Sequence, residues 1–180
     1  MKNIFIGLLF VFLNFDLNLG SMKISLMPDF VGYLLMIKGF DELAKESEFF
    51  EKVRPWSVFM ACYTGVIFVL DFLGGSNLYQ NFSFLLGIFN ICISLFILYQ
   101  IVKGVIDIEQ KYGIILEGEK LKSLWTIMAI LNILTYILLM FTIFTLLLLI
   151  ILLVVHIIFL VAFNNSKNLY YSERDKFIHN

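Results

Sequence analysis

Charged residues, prolines and cysteines are all scarce in this chain of 180 residues. Aspartate, glutamate, lysine and arginine together make up 15% of it, against about 25% in an average soluble domain. The two cysteines, Cys62 and Cys92, lie inside apolar runs, which favours packing roles over a disulfide or a metal site. A formal net charge of −1 gives no electrostatic basis for binding nucleic acid.

The sequence also lacks the short motifs of common enzyme classes. It contains no Walker loop, no Gly-rich dinucleotide turn, no His-Glu-x-x-His and no Gly-x-Ser-x-Gly. We therefore predict no catalytic residues, no cofactor and no metal site. An enzyme would need an unusual constellation, such as the carboxylates of Asp16, Asp29 and Asp71 gathered at one face of a membrane.

Long apolar runs fill the chain instead. Hydrophobic residues make up 61% of it and the mean hydropathy is +0.92, which indicates an integral membrane protein in contact with the lipid bilayer. The apolar runs occupy residues 4–15, 28–40, 56–73, 82–102 and 123–163.

The last run is too long for one crossing. It would rise about 61 Å as a helix, twice the roughly 30 Å thickness of the hydrocarbon core, so we predict a reversal near residues 141–145. The fold class is then an all-α, polytopic transmembrane bundle of about six segments. It forms a single domain over residues 1–163, followed by a polar cytoplasmic tail at 164–180.

The first two runs are shorter than a normal crossing. They are consistent with a signal peptide at the start, with two short spanning helices or with a re-entrant hairpin. Pro28 suits the first turn of a helix, and Asp29 favours the positive end of its dipole. Between the runs, "SMKISLM" alternates as a short strand or an extended loop would. We expect Asp16 and Asp29 to lie close together at the outer mouth of this hairpin, with Lys23 in the connector.

The basic residues give an orientation. With the N-terminus in the cytoplasm, twelve of the thirteen lysines and arginines fall on the inner side, and Lys23 is the exception. This is a strong positive-inside signal, and Trp56 and Trp125 agree with it because both lie at predicted inner boundaries. Both termini are predicted to be cytoplasmic. Between the second and third runs, residues 41–53 form an amphipathic helix that Arg54-Pro55 is expected to end.

A short pattern occurs twice. "DLNLGS", which begins at Asp16, and "DFLGGS", which begins at Asp71, share Asp-x-x-x-Gly-Ser, and both follow an apolar run. One interpretation is a duplicated helical hairpin, with residues 4–40 matching 56–102. The alternative is coincidence, because Asp and Gly are common turn residues.

Small and polar residues within the apolar runs predict where helices pack. The third and fourth runs each carry a stripe at helical spacing, which lets two helices approach closely. We expect these two helices to pack on each other, with Asn90 hydrogen-bonded across. The stripes consist of Ser57, Ala61 and Gly65 in the third run and of Ser83, Gly87, Asn90 and Ser94 in the fourth.

Polar residues at membrane depth are also the best indicators of a ligand site. His156 stands in an otherwise apolar stretch, and we expect it to bond to Asn132 or Tyr136; the alternative is a proton- or ligand-binding role. The candidates for binding an ion or ligand are Asp16, Asp29, Asp71, Asn90, Asn132 and His156.

"LMPDFVGYLLMIKGFDELAKES", "RPWSVFMACYTG" and the ending "SKNLY" resemble a family of small multi-pass membrane proteins of low-GC Gram-positive bacteria. The resemblance covers most of the chain. It implies a bacterial plasma membrane location and supplies neither an activity nor catalytic residues.

Two functions are therefore expected. The first is transport of an ion or a small solute, as in a small channel-like protein. Because six short helices enclose little volume, assembly as a homo-oligomer is one form that this function can take. The second is that of a non-catalytic accessory or scaffold protein, which binds a membrane partner through its helices or through residues 41–53.

Overall fold

The structure, a computed structural model, describes residues 1–13, 16–19, 22–25, 28–75, 79–139 and 141–178. These residues form six α-helices, a short 3-10 helix at Gln80–Phe82 and one antiparallel β-hairpin. In chain order the elements are α1 (Lys2–Phe12), β1 (Asp16–Leu19), β2 (Met22–Ser25), α2 (Asp29–Leu43), α3 (Glu48–Phe72), α4 (Ser83–Tyr112), α5 (Gly118–Ile137) and α6 (Thr142–Ile178).

Three of the described helices are long and apolar enough to cross a membrane: α3, α4 and the Thr142–Arg174 part of α6. The two helices of the first hairpin are shorter. The 11 residues of α1 rise about 16 Å, and the 15 residues of α2 about 22 Å. The predicted membrane class is thus confirmed by helix length and composition, whereas the six crossings and the cytoplasmic termini stay predictions.

The chain divides into two compact units, residues 1–97 and residues 98–180. The first unit contains α1, the β-hairpin, α2, α3 and the first half of α4. The second contains the rest of α4, together with α5 and α6.

The closest helix contact in the first unit is made by glycines. A Cβ atom on Gly7 of α1 would lie 2.5 Å from the carbonyl oxygen of Gly32, and one on Gly32 of α2 would lie 2.7 Å from that of Gly7. Two turns further along α2, a Cβ on Gly39 would lie 2.9 Å from the backbone nitrogen of Ile4. The backbones of α1 and α2 therefore touch, and only glycine fits at the crossing.

The opposite side of α2 packs on α3 in antiparallel fashion. The Phe30 ring lies tilted against Phe68 with centroids 5.4 Å apart, and Phe40 stacks on Phe50 at 6.1 Å. At the polar end, the side chain of Arg54 donates to Asp41 at 2.6 Å. A helix that touches α1 on one side and α3 on the other is the centre of this unit.

The chain between α2 and α3 differs from the sequence-based expectation. The amphipathic helix predicted over residues 41–53 is interrupted at Ala44–Ser47, and Pro55 lies inside α3 rather than at its end. Ser47 is extended (φ −148°, ψ 131°), and Glu48 and Glu51 occupy the first turn of the new helix, where acidic groups favour the dipole. The break therefore precedes Pro55 by eight residues, and α3 continues through that proline.

The β-hairpin confirms the extended character predicted around Lys23. Its register pairs Asp16 with Ser25 and Leu19 with Met22, and β2 lies beside α3. This hairpin is the one departure from an all-helical architecture among the described residues. The two Asp-x-x-x-Gly-Ser segments also differ in structure, because Asp16 begins a strand, whereas Asp71 lies in the last turn of α3. This difference argues against a duplicated helical hairpin.

In the second unit a carboxylate shapes the corner between α4 and α5. Glu109 accepts hydrogen bonds from the backbone N–H groups of Leu116 and Gly118, both at 3.0 Å. Two residues of the corner, Gly113 (φ 65°) and Glu117 (φ 58°), adopt left-handed backbone conformations. One side chain thus satisfies two backbone donors at the start of α5, where helices leave such groups unpaired.

The reversal between α5 and α6 lies slightly earlier than predicted. The helix α5 ends at Ile137 and α6 begins at Thr142, so the turn precedes the expected 141–145. The Thr145 hydroxyl donates to the carbonyl of Leu138 at 2.7 Å, which closes the turn without glycine or proline. Residues 164–178, expected as a polar tail, continue α6.

Candidate functional site

A chain of three polar side chains joins α2 to α4. The Oγ atom of Ser94 lies 2.8 Å from the hydroxyl of Tyr33, and Ser94 donates to the side-chain oxygen of Asn90 at 3.1 Å. Because the single Ser94 proton is directed to Asn90, the Tyr33 hydroxyl is the donor to Ser94. Tyr33 is 1% exposed and Asn90 is half-buried.

Asp29 extends this polar line toward the start of α2. It lies four residues before Tyr33, which places both on one face of the helix, and it is half-buried. Pro28 precedes it with φ −65°, as expected for a proline that starts a helix. The line thus holds a carboxylate, two hydroxyls and a carboxamide.

The contacts of Phe30 show beside which part of α3 the neighbouring residue Asp29 lies. A Cβ on Gly65 would lie 3.7 Å from the Cβ of Phe30. Gly65 is nine residues from Trp56, about 14 Å, and seven residues from Phe72, about 10 Å. The start of α2 therefore lies beside the interior of the apolar part of α3, not beside its end.

The other two aspartates have different surroundings. Asp71 accepts a hydrogen bond from the hydroxyl of Tyr79. Just after it, Gly74 (φ 72°) ends α3, and the N–H of Gly75 donates to the carbonyl of Leu70 at 2.7 Å, which is a common C-terminal capping arrangement. The side chain of Asp16 lies outside the described residues, so its predicted closeness to Asp29 stays a prediction.

The polar residues of α5 and α6 are bonded to their own helices. The Asn132 amide donates to the carbonyl of Met128 at 2.8 Å, and Nδ1 of His156 lies 2.7 Å from the carbonyl oxygen of Leu152. Each of these two side chains thus reaches a backbone acceptor one turn earlier in its own helix, and the expected bond from His156 to Asn132 or Tyr136 stays a prediction. No group of three or more metal-ligating side chains occurs among the residues that the structure describes.

One residue of each small-residue stripe contacts α2. Gly65 lies against Phe30, and Ser94 bonds to Tyr33. Ser57 and Ala61 are buried, Ser83 is exposed and Gly87 is half-buried. The predicted packing of the third helix on the fourth through these stripes, with Asn90 bonded across, is therefore corrected: Asn90 bonds within α4, and Ser94 makes the interhelical contact.

Large aromatic rings, not small residues, connect α3 to α4. Phe59 and Tyr63 both pack edge-on against Phe89, with centroids 5.8 and 6.0 Å apart, and Trp56 packs against Phe96 at 5.4 Å. The Tyr63 hydroxyl also donates to the carbonyl of Leu86 at 3.2 Å. Rings of this size hold the two backbones apart.

The described residues of each unit line a surface cavity. One is an apolar groove of about 590 Å³ on α3, which we call the α3 groove, and the other is a polar cavity of about 420 Å³ in the second unit. The α3 groove is lined by Phe30, Ala61, Cys62, Gly65, Val66, Phe68, Val69 and Leu70. The polar cavity is lined by Glu117, Asn165, Asn168, Leu169 and Ser172.

Sequence reasoning missed Tyr33 and the pair Gly7 and Gly32. A signal for both exists in "DFVGYLLMIKG": the tyrosine lies one turn after Asp29, and the two glycines of α2 are seven residues apart on one face. No family model matches the chain, and neither a curated protein nor a solved structure is similar to it.

Proposed function

We propose that this chain is a small integral membrane protein of the bacterial plasma membrane that moves an ion or a small polar solute. Asp29 and the Tyr33–Ser94–Asn90 chain are proposed to lie on its path. The observation that carries the proposal is the position of this polar line beside the apolar interior of α3. Ionisable and polar groups at membrane depth are costly and mark pathways in many transport proteins.

The short first hairpin supports the same function. Its chain is helical only over α1 and α2 and continues as strands between them, and β2 lies beside α3. Non-helical backbone within a membrane is tolerated where it is buried in protein or lines a water-filled cavity. A polar path at this hairpin would be such a water-filled cavity, and Asp29 would lie at its inner end.

Ion flux in proteoliposomes tests the proposal directly. The parent protein is expected to conduct Na⁺, K⁺ or protons above protein-free liposomes, and Asp29→Asn and Ser94→Ala are expected to lower that flux about tenfold or more. Ser123→Ala is the matched control, because this exposed serine on α5 bonds only to the carbonyl of Glu119 in its own helix. Flux equal to protein-free liposomes for all three ions, or unchanged in both variants, would refute the proposal for these ions.

The α3 groove favours a second candidate, an accessory protein that binds a transmembrane helix. Cys62, Val66 and Val69 line the groove and are exposed, so they present an apolar surface that a partner helix can cover. Cys62 lines the groove, so a Cys92→Ser variant leaves one cysteine as a reporter. If a second copy occupies the groove, oxidation in membranes should give a disulfide-linked dimer that Val66→Trp, a change at an exposed groove residue, prevents. A chain that remains monomeric and fully reactive toward maleimide would exclude this homodimer.

A further inference from the structure

The second unit contains a cationic and aromatic cluster where α4 and α5 meet. The rings of Tyr99 on α4 and Trp125 on α5 are in contact at a tilt of 37°, with centroids 4.6 Å apart, and the Lys103 ammonium lies 5.0 Å from the centre of the Tyr99 ring. The contact is within the range of a cation–π interaction. We call Tyr99, Lys103, Lys122 and Trp125 the corner cluster.

The contact between the rings of Tyr99 and Trp125 shows which residues of α4 and α5 lie at the same height. Lys103 follows Tyr99 by four residues, and Lys122 precedes Trp125 by three, so each lysine lies about one turn from the rings. Each lysine lies on the side of its ring that is nearer to the corner closed by Glu109, because this corner joins the end of α4 to the start of α5. The two lysines therefore lie at a similar level on adjacent helices.

This level matches the boundary of the apolar segments. The apolar run of α4 ends at Val102, directly before Lys103, and that of α5 begins after Lys122. Tryptophan and tyrosine prefer the headgroup level of a bilayer, and lysines just outside a spanning helix attract anionic lipids. From this arrangement we infer that the corner cluster binds the phosphate of an anionic phospholipid headgroup, with the lipid chains beside Trp125.

Two carboxylates near the cluster, Glu109 and Glu119, have partners of different strength. Glu109 is engaged by two backbone N–H groups. Glu119 approaches Lys122 at 3.3 Å, but the two side chains are 74% and 50% exposed, and ion pairs this exposed are weak. A headgroup phosphate at the membrane surface can replace that partner. The inference concerns the second unit and does not depend on the transport proposed for the first.

Fluorescence quenching by brominated lipids tests the site. A Trp56→Phe variant leaves Trp125 as the sole tryptophan of the chain. In bilayers, brominated phosphatidylglycerol is expected to quench Trp125 more than brominated phosphatidylcholine at equal mole fraction. The preference should fall roughly fivefold for each of Lys103→Gln and Lys122→Gln, and it should weaken at high salt.

The controls distinguish a lipid site at the corner cluster from two alternatives: general attraction of anionic lipid to any lysine, and binding of free inorganic phosphate. Lys52→Gln removes an exposed lysine of the first unit and should leave the preference intact, whereas Lys103→Arg should retain it. Inorganic phosphate at millimolar concentration should not displace the lipid. Equal quenching by the two lipids, a preference that survives in the double lysine variant, or displacement by inorganic phosphate would each overturn the inference. Thermal unfolding of every variant shows whether it has folded.

Discussion

The two helix contacts at either end of the first unit are built in opposite ways. Where α1 meets α2, glycines bring the backbones together and a single added methyl group would collide with a carbonyl oxygen. Where α3 meets α4, aromatic rings fill the space and polar contacts are few. The difference shows that a stripe of small residues predicts a close contact but not which neighbour makes it.

The strongest test of this comparison adds one methyl group at the contact of α2 with α1 and, separately, one at the contact of α2 with α3. Gly32→Ala is expected to destabilise the protein by about 1–3 kcal/mol, because the new Cβ would lie 2.7 Å from the Gly7 carbonyl oxygen. Gly65→Ala is the matched control, since its Cβ would lie 3.7 Å from Phe30 and alanine is the better helix former. Unfolding in mixed micelles measures both. Equal effects would show that the α1–α2 crossing is not close.

The aromatic contact should be weaker and more tolerant. Phe89→Leu removes two edge-on ring contacts and is expected to cost about 1 kcal/mol, because Phe89 is 44% exposed and leucine retains part of the packing. The control is Phe144→Leu, which removes a single ring contact on α6 and should cost less. A loss above that of Gly32→Ala would reverse the proposed ranking of the two contacts.

A double-mutant cycle measures the bond between α2 and α4. Tyr33→Phe and Ser94→Ala each remove one of the two hydroxyls that lie 2.8 Å apart. The coupling free energy is expected to be about 0.6 kcal/mol, the average for interhelical hydrogen bonds in a membrane protein. Additive single-variant effects would contradict the contact and remove the structural support for a polar line on α2.

The smallest effect is expected for Tyr63→Phe. This change removes only the hydroxyl that donates to the Leu86 carbonyl at 3.2 Å and keeps the ring against Phe89. The expected loss is below about 0.5 kcal/mol, because an ordinary hydrogen bond to a carbonyl that already belongs to a helix adds little. A larger loss in the same unfolding assay would mean that polar contacts, not rings, hold α3 to α4.

The sequence allowed the membrane class, the split between α5 and α6 and the extended segment around Lys23 to be predicted, because hydropathy and periodicity are local properties. It did not allow the partner of a helix face to be predicted. Ser94 and Gly65 lie on the faces expected from their spacing, but α2 lies opposite both of them. The expectation at Pro55 was wrong for a related reason: α3 continues through the proline, because contacts with neighbouring helices can stabilise a helix that lacks one backbone hydrogen bond.

The Glu109 corner also has a consequence for how the chain folds during synthesis. All its hydrogen bonds connect residues within nine positions of each other, whereas the Gly7–Gly32 crossing joins positions 25 apart. Short-range contacts cost less loop entropy and form sooner. The corner, which occupies ten residues from Glu109 to Gly118, can therefore set the direction of α5 before α6 has left the ribosome.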